Sequence, residues 1–320
     1  MNILITGSMG NIGSSTLAAL QARGHRITCF DQPTLANRRL AKRLPSAVRV
    51  CWGDLRQPSD ISAAVVHQEV VVHLAAIIPE ASHTGDRSEE NPILAYAVNV
   101  VGTRNLIAAV KAMPVPASVV FTSTLHVYGL TQHLAPPRKL QDPLNPSDHY
   151  ASHKVACEAM LRESGLRWTI LRLGVALPLK VILSPAMFLV PPSNRIEYVH
   201  TLDVGVAIAN AIETEAVWGR LWHIGGGPRC QLRYEDMLGA FMKILGQSPL
   251  PKSAYNNVDF SVDWLDTHES QQLLNYQQHT FEDYVKALSV CLGHWLPLIR
   301  FLRPVVRWVI LRQSPYLRNR

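Results

Sequence analysis

Three glycines spaced as G-x-x-G-x-x-G, Gly7, Gly10 and Gly13, stand between an apolar run and an apolar helical segment. The run Ile3-Leu4-Ile5 predicts a short buried parallel strand. The segment from Ile12 to about Gln21 predicts a helix. Strand, glycine turn and helix together form the context in which such a motif holds a dinucleotide. Gly7 lets the chain turn tightly, Gly10 lets backbone approach a pyrophosphate, and Gly13 lets the helix pack close to the sheet. The helix start, Asn11, Ile12 and Gly13, offers N–H groups and partial positive charge to phosphates. The alternative is a glycine-rich turn without a ligand.

A chain of 320 residues holds one large α/β domain, or a large domain with a smaller one. The five cysteines (Cys29, Cys51, Cys157, Cys230, Cys291) are scattered without a C-x-x-C pair. That predicts a reducing compartment, no disulfide framework and no metal site. The chain opens directly on a strand, as expected of a cytoplasmic protein. The net charge of +7 is local. From Tyr284 onward there are seven Lys/Arg and no Asp/Glu, so the remainder is balanced at 24 basic and 24 acidic residues. This describes a basic tail, not a nucleic-acid surface.

Further along, Arg26–Phe30 reads as a second strand closed by Asp31, roughly 20 residues after the glycines. A carboxylate there accepts both adenosine ribose hydroxyls and repels a 2′-phosphate, which favours NAD. Arg38, Arg39 and Arg43 could serve a 2′-phosphate or form the solvated face of the next helix. Ala47–Trp52 reads as a third strand ending in Gly53-Asp54-Leu55. Asp54 either accepts from the adenine amino group or caps the helix Pro58–His67. Val70–Leu74 is a fourth strand; the small residues Ala75 and Ala76 after Leu74 let backbone come near a cofactor. The polar loop Ile77–Arg87 is the expected substrate loop. In the helix Glu89–Ala112, Asn99 and Gly102 stand out on a buried face.

Strand five, Ser118–Ser123, leads to Thr124. After a proline-rich loop, Tyr150 and Lys154 open a helix running to about Ser164. At i and i+4 they share one face. An ammonium near a phenol lowers the phenol's pKa, so Tyr150 is expected to act as acid or base near neutrality, with Thr124 orienting the substrate oxygen. The alternative is a surface Tyr/Lys pair.

Several ordered motifs now coincide: Thr6–Gly13, Asp31, Gly53–Leu55, His73–Ala76, Asn99–Leu106, Ser123–Gly129, Asn145–Glu158, Leu171–Pro178, Arg195–Ile208 and Trp222–Gly227. On these the chain, from Met1 to about Gly227, resembles the extended short-chain dehydrogenase/reductases, the NAD-dependent epimerase/dehydratase group that includes UDP-galactose 4-epimerase. The resemblance implies a doubly wound parallel sheet (Rossmann) with a small C-terminal substrate lobe. It implies NAD held by Gly7, Gly10, Asn11, Ile12, Gly13, Asp31, Asp54, Leu55, Leu74, Ala75, Ala76, Asn99, Tyr150 and Lys154. It makes Tyr150 the acid/base and Lys154 its partner on the nicotinamide ribose. Thr124 takes the active-site hydroxyl position, and Asn99 organises backbone and water. The expected division is 1–175 with 196–225 for NAD, 176–195 with 226–283 for the lobe, and 284–320 as a tail. A homodimer through the helices carrying Asn99 and Tyr150 is implied as well.

Departures from the family pattern matter. Sugar 4,6-dehydratases of this fold carry Asp-Glu directly after the active-site Thr; here Leu125 and His126 stand there, which argues against dehydration. The segment Leu173–Ala176 lacks the Asn that many nucleotide-sugar members place there. Ile196 occupies the position of a diphosphate-gripping Arg, with Arg195 one residue earlier; Arg195 and Arg229 could still reach phosphate after a small backbone shift. The linker between Gly174 and Arg195 is apolar, which suits a greasier substrate. Asp263–Asp266 reads as packing and capping.

The tail segment 287–311 is apolar but interrupted by His294, Arg300, Arg303, Arg307 and two prolines. It falls short of the roughly 20 uncharged residues of a spanning helix. Arg300, Arg303 and Arg307 share one helical stripe, which predicts either a helix lying in a membrane interface or one packed on the body or across a dimer with solvated arginines. Pro304 should kink or split it. Three functional classes stay open: an NAD-dependent epimerase or dehydrogenase transferring hydride at a secondary alcohol or ketone, a membrane-surface enzyme of an apolar or lipid-linked alcohol, and a dinucleotide-binding sensor without turnover.

Overall fold

A computed structural model describes residues 1–79, 85–181 and 183–317 of the chain. Strand β1 (Asn2–Thr6) sits at the centre of the sheet and is buried on both faces. Ile3 and Ile5 point into one apolar layer and Leu4 into the other, the alternation a strand imposes. After the glycine turn comes α1 (Asn11–Gln21), then β2 (Arg26–Asp31), α2 (Leu35–Ala41), β3 (Arg49–Trp52), α3 (Pro58–Val65) and β4 (Val70–His73). Helices α4 (Pro92–Tyr96) and α5 (Gly102–Lys111) are joined through a π-helical turn at Ala97–Val101. Then follow β5 (Ser118–Thr124), α6 (His149–Arg162), β6 (Trp168–Leu173), β7 (Arg195–Glu197), α7 (Thr201–Glu213) and β8 (Leu221–Ile224).

Seven strands form one parallel sheet in the order β3-β2-β1-β4-β5-β6-β8. The order reverses between β1 and β4, the switch point where ligands of doubly wound sheets bind. One face is covered by α1 and α7, the other by α3, α5 and α6. Gly205 of α7 is what brings α7 onto α1: a Cβ there would stand 2.6 Å from the Ser15 carbonyl oxygen.

The remaining elements build a second core. They are β9 (Gln231–Arg233, antiparallel to β7), α8 (Tyr234–Ile244), α10 (Phe281–Leu292), α11 (Leu296–Phe301) and α12 (Arg303–Arg312), whereas α9 (His268–Leu274) joins the first core through Leu274. Helix α10 crosses residue 284 without interruption, and its Phe281, Tyr284 and Leu288 lie in this core. The chain does break near Pro304, where α11 gives way to α12, as the proline predicts.

Two buried polar networks tie the layers together. Arg172 of β6 forks onto Glu158 of α6 at 3.0 and 2.6 Å and donates to the Tyr128 hydroxyl at 2.7 Å. Tyr128 then donates to His223 Nε2 at 2.6 Å, which leaves His223 Nδ1–H for the Asp266 carbonyl. Arg195 is equally committed. Its guanidinium grips Asp263 at 2.6 and 3.0 Å and the carbonyls of Thr131, Gln132 and Leu134. Asp263 is thus an anchor, and it shares the buried Arg195 guanidinium with three backbone carbonyls.

Candidate active site

The glycine turn has the strained geometry its spacing predicts. Gly7 adopts φ +69°, and a Cβ there would lie 2.8 Å from the Ala75 backbone. A Cβ on Gly13 would lie 2.3 Å from the Gly7 carbonyl oxygen. Gly10 is the N-cap of α1 and supplies no side-chain cap, and the first turn carries no acidic residue. Asn11, Ile12 and Gly13 therefore open a helix start suited to an anion. Asn11 Nδ2 also reaches the Ala176 carbonyl at 3.4 Å, joining the turn to the apolar linker.

Under the turn runs a hydrogen-bonded chain that the sequence motif did not announce. The Thr103 hydroxyl donates to the Asn99 carbonyl at 2.5 Å and accepts from His73 Nε2 at 2.9 Å. His73 Nδ1 then accepts from the Thr6 hydroxyl at 2.7 Å, whose oxygen accepts from the Leu74 and Ala75 amides. Burial pushes the His73 pKa down to about 3, so this strut is neutral. The motif His73–Ala76 was legible for its small residues; its histidine fixes their position.

At the end of β2, Asp31 Oδ2 accepts from the Met9 amide at 2.9 Å and Oδ1 from Asn37 Nδ2 at 3.0 Å. Its carboxylate is thus locked beside the glycine turn. Arg38 is turned away: its guanidinium stacks over Trp52 at 5.4 Å and Nε donates to the Pro33 carbonyl. A cleft of about 540 Å³, open to solvent, lies here between Gln32, Pro33, Thr34, Trp52, Asp54 and Arg56. Asp54 lines it but caps nothing on α3; Arg56 holds its carboxyl below the usual range. Leu55 packs where Gly102 has no side chain, since a Cβ on Gly102 would lie 2.7 Å from Leu55 Cβ. Asn105 Nδ2 holds the Leu55 carbonyl at 3.0 Å.

The π turn explains Asn99. It aims the side chain at the Ile77 backbone, accepting from its amide at 2.7 Å and donating to its carbonyl at 2.8 Å. Asn99 thus fixes the start of the expected substrate loop, whose residues 80–84 lie outside the described chain.

Tyr150 and Lys154 occupy the first turns of α6, facing the end of β5. Lys154 Nζ donates to the Thr122 carbonyl at 2.7 Å and lies 4.5 Å over Phe121 and 5.7 Å over the Tyr150 ring. Burial lowers the Lys154 pKa to about 8. The expectation of a depressed Tyr150 pKa is not met: burial, with the nearby Asp148 carboxylate, pushes it up. The ammonium stands over the ring and is spent on a carbonyl, so it does not offset those costs. Thr124 ends β5 and accepts from the His126 amide at 3.2 Å through its hydroxyl oxygen.

Two further residues shape this corner. Glu89 accepts from the amides of His149 and Tyr150 at 3.2 and 3.1 Å, placing an anion on the α6 N-terminus. His126 stacks edge-on against Tyr150 at 6.2 Å and Phe260 at 5.7 Å, and bonds Asp148 at 3.2 Å. Against the cost of burial, that bond holds the Asp148 carboxyl below its ordinary value. A lone glutamate in a loop carries no sequence signal. His126 was read only as a departure, yet it is the polar ring nearest Tyr150 among the described contacts.

Comparison with known proteins agrees with this geometry. The profile of the NAD dependent epimerase/dehydratase family matches residues 3–176. The UDP-glucose 4-epimerase of Rhizobium meliloti (strain 1021) is 32% identical over 183 residues, 53% of this chain and 50% of that protein. The N-acetyl-alpha-D-glucosaminyl-diphospho-ditrans,octacis-undecaprenol 4-epimerase of Escherichia coli O157:H7 is 32% identical over 162 residues, 51% of this chain and 43% of that protein. The chain spans about half the length of these curated relatives. dTDP-glucose 4,6-dehydratases match too. The fold is that of the Thermus thermophilus UDP-glucose 4-epimerase, solved in complex with NAD. The TM-score is 0.71 at 23% identity, covering 90% of this chain and 99% of that one.

Proposed function

The chain belongs to the NAD-dependent epimerase/dehydratase family, and from that premise we propose that it binds NAD and interconverts a secondary alcohol and a ketone on a diphosphate-linked sugar, so inverting that carbon. The observation that carries this reading is Lys154 Nζ, held at 2.7 Å on the Thr122 carbonyl of the strand that ends in Thr124 and lying 5.7 Å over the Tyr150 ring. The strained turn at Gly7, the uncapped α1 start and the Asp31 carboxylate fit the pyrophosphate and adenosine ribose of the cofactor. The open cleft at Trp52 and Asp54 fits its adenine. When bound, NAD supplies the hydride acceptor and a positive ring.

The chain's own residues do the remaining work. The Tyr150 hydroxyl exchanges a proton with the substrate oxygen, as acid in one direction and as base in the other. Lys154 holds positive charge beside it, and Thr124 orients the same oxygen. Asn99 and Glu89 act as positioning residues, on the substrate loop and on the α6 start.

The matched relatives include epimerases and dehydratases. We favour the former because Leu125 has no proton to give and the His126 ring nitrogen is tied to Asp148. The substrate reading is tested by incubating the NAD-loaded protein with UDP- and dTDP-hexoses and following the sugar protons by NMR. A C4 epimer supports it. A 4-keto-6-deoxy product would support dehydration instead.

A second reading, a sugar diphosphate carried on a lipid, is favoured by the linker beside the site. Leu179, Val181 and Leu183 are exposed there. The Escherichia coli relative is by its name such an epimerase. We also propose a cytoplasmic homodimer through α4, α5 and α6, where Ile93 and Tyr96 lie exposed on the outer face.

A further inference from the structure

Helices α10 to α12 are apolar on two sides. Inward, Leu296, Ile299, Val306 and Ile310 pack into the second core. Outward, Phe301 is 82% exposed, Trp295 64%, Trp308 58% and Val305 54%. A soluble surface rarely gathers such side chains in one place.

Arg300 and Arg303 lie exposed, while Arg300 and Arg307 also hold backbone carbonyls of the lobe. Arg300 Nη2 donates to the Ile244 carbonyl at 3.3 Å. Arg307 donates to the Ser248 and Pro249 carbonyls at 2.9 and 3.1 Å. These guanidiniums therefore line the seam between lobe and helices, and Arg312 stacks on Trp308 at 5.0 Å. The outward face is left to tryptophan, phenylalanine and aliphatic groups, rimmed by positive charge.

From this arrangement we infer that the outward face of α11 and α12 docks on the surface of a bilayer containing anionic lipid. The helices have six and ten residues, too short to span a bilayer, which takes about 20. They have the length and side chains to lie in its interface, with aromatic groups at headgroup depth. Charge complementarity selects the partner: residues 284–320 carry seven Lys/Arg and no Asp/Glu. A second copy of the chain meeting this face would set those charges against their own kind, since a two-fold contact pairs the patch with itself. The exposed linker continues the patch: Cys291 of α10 touches the Leu179 carbonyl at 3.9 Å, and Tyr284 donates to the Pro178 carbonyl at 3.0 Å. The inference rests on these helices and holds whichever sugar is the substrate.

The test is co-sedimentation of the full chain with vesicles of phosphatidylcholine, alone or with a third phosphatidylglycerol. The expected result is pelleting with the anionic vesicles, weakened at least about tenfold in neutral ones or in high salt. A variant carrying Trp295→Ser, Phe301→Ser and Trp308→Ser should lose binding about tenfold or more while keeping its melting temperature and NAD titration. Wild-type protein left in the supernatant, or a triple variant that still pellets, overturns the inference. So does binding indifferent to lipid charge, or a solution mass that the triple variant halves, which would make this face a contact between copies. Epimerase activity measured in parallel separates failure here from failure of the proposed reaction.

Discussion

The Lys154 ammonium stands 5.7 Å over the Tyr150 ring and is held there by the Thr122 carbonyl at 2.7 Å. The pair is built as a positive site with a protonated phenol on its edge, not as a preformed phenolate. Replacing Tyr150 by Phe removes the proton and little volume. We expect kcat to fall by about 10²- to 10⁴-fold, with NAD affinity changed less than about threefold. An NAD titration alongside steady-state rates checks both halves; a variant with wild-type kcat contradicts the assignment.

Asp31 should choose the cofactor. Its carboxylate is locked beside the glycine turn while Arg38 is occupied by Trp52 and the Pro33 carbonyl. Calorimetry should show NAD binding at least about tenfold tighter than NADP, a difference of about 1.4 kcal/mol. Asp31→Asn should narrow that gap. NADP binding as tightly as NAD would refute this reading.

Gly13→Ala should abolish dinucleotide binding without unfolding the chain elsewhere. A methyl placed 2.3 Å from the Gly7 oxygen must push α1 off the turn. The expected cost in stability is about 1–3 kcal/mol, as for other overpacked sites. Denaturant melts and NAD fluorescence titration measure the two effects; retained binding would show that the turn relaxes.

Glu197 gives a pH prediction. Burial raises its pKa to about 7, although Leu265 N, Gln231 Nε2 and Gly227 N all donate to it. The folded state thus binds its proton more tightly than the unfolded state. Its contribution is fully present below the unfolded value near 4.5 and is lost as pH rises through about 7. Urea midpoints should therefore decline across that window, by up to about 3 kcal/mol in stability. In Glu197→Gln the decline should flatten. An unchanged slope would remove Glu197 from the account.

Much of this was legible because parallel strands and glycine turns write themselves locally. The buried strands read as apolar runs, and Gly7, Gly10 and Gly13 fell where close approach required them. Tyr150 and Lys154 were found because i, i+4 on a helix is a short-range relation. What stayed hidden was long-range. Nothing near Arg195 in sequence reveals that Asp263 claims its guanidinium. The π turn that aims Asn99 at Ile77 depends on packing across two segments. Which way Arg300 and Arg307 turn depends on carbonyls at Ile244, Ser248 and Pro249, far from them in sequence.

The most direct test of the central claim is single-turnover mixing of NAD-loaded protein with the accepted nucleotide-sugar, read by the near-ultraviolet absorbance of reduced nicotinamide. We expect reduced nicotinamide to rise and decay in the wild type, and the rise to slow by about 10² or more in Tyr150→Phe. A rise equally fast in the variant, or an epimer formed with no reduced nicotinamide at any time, would contradict it.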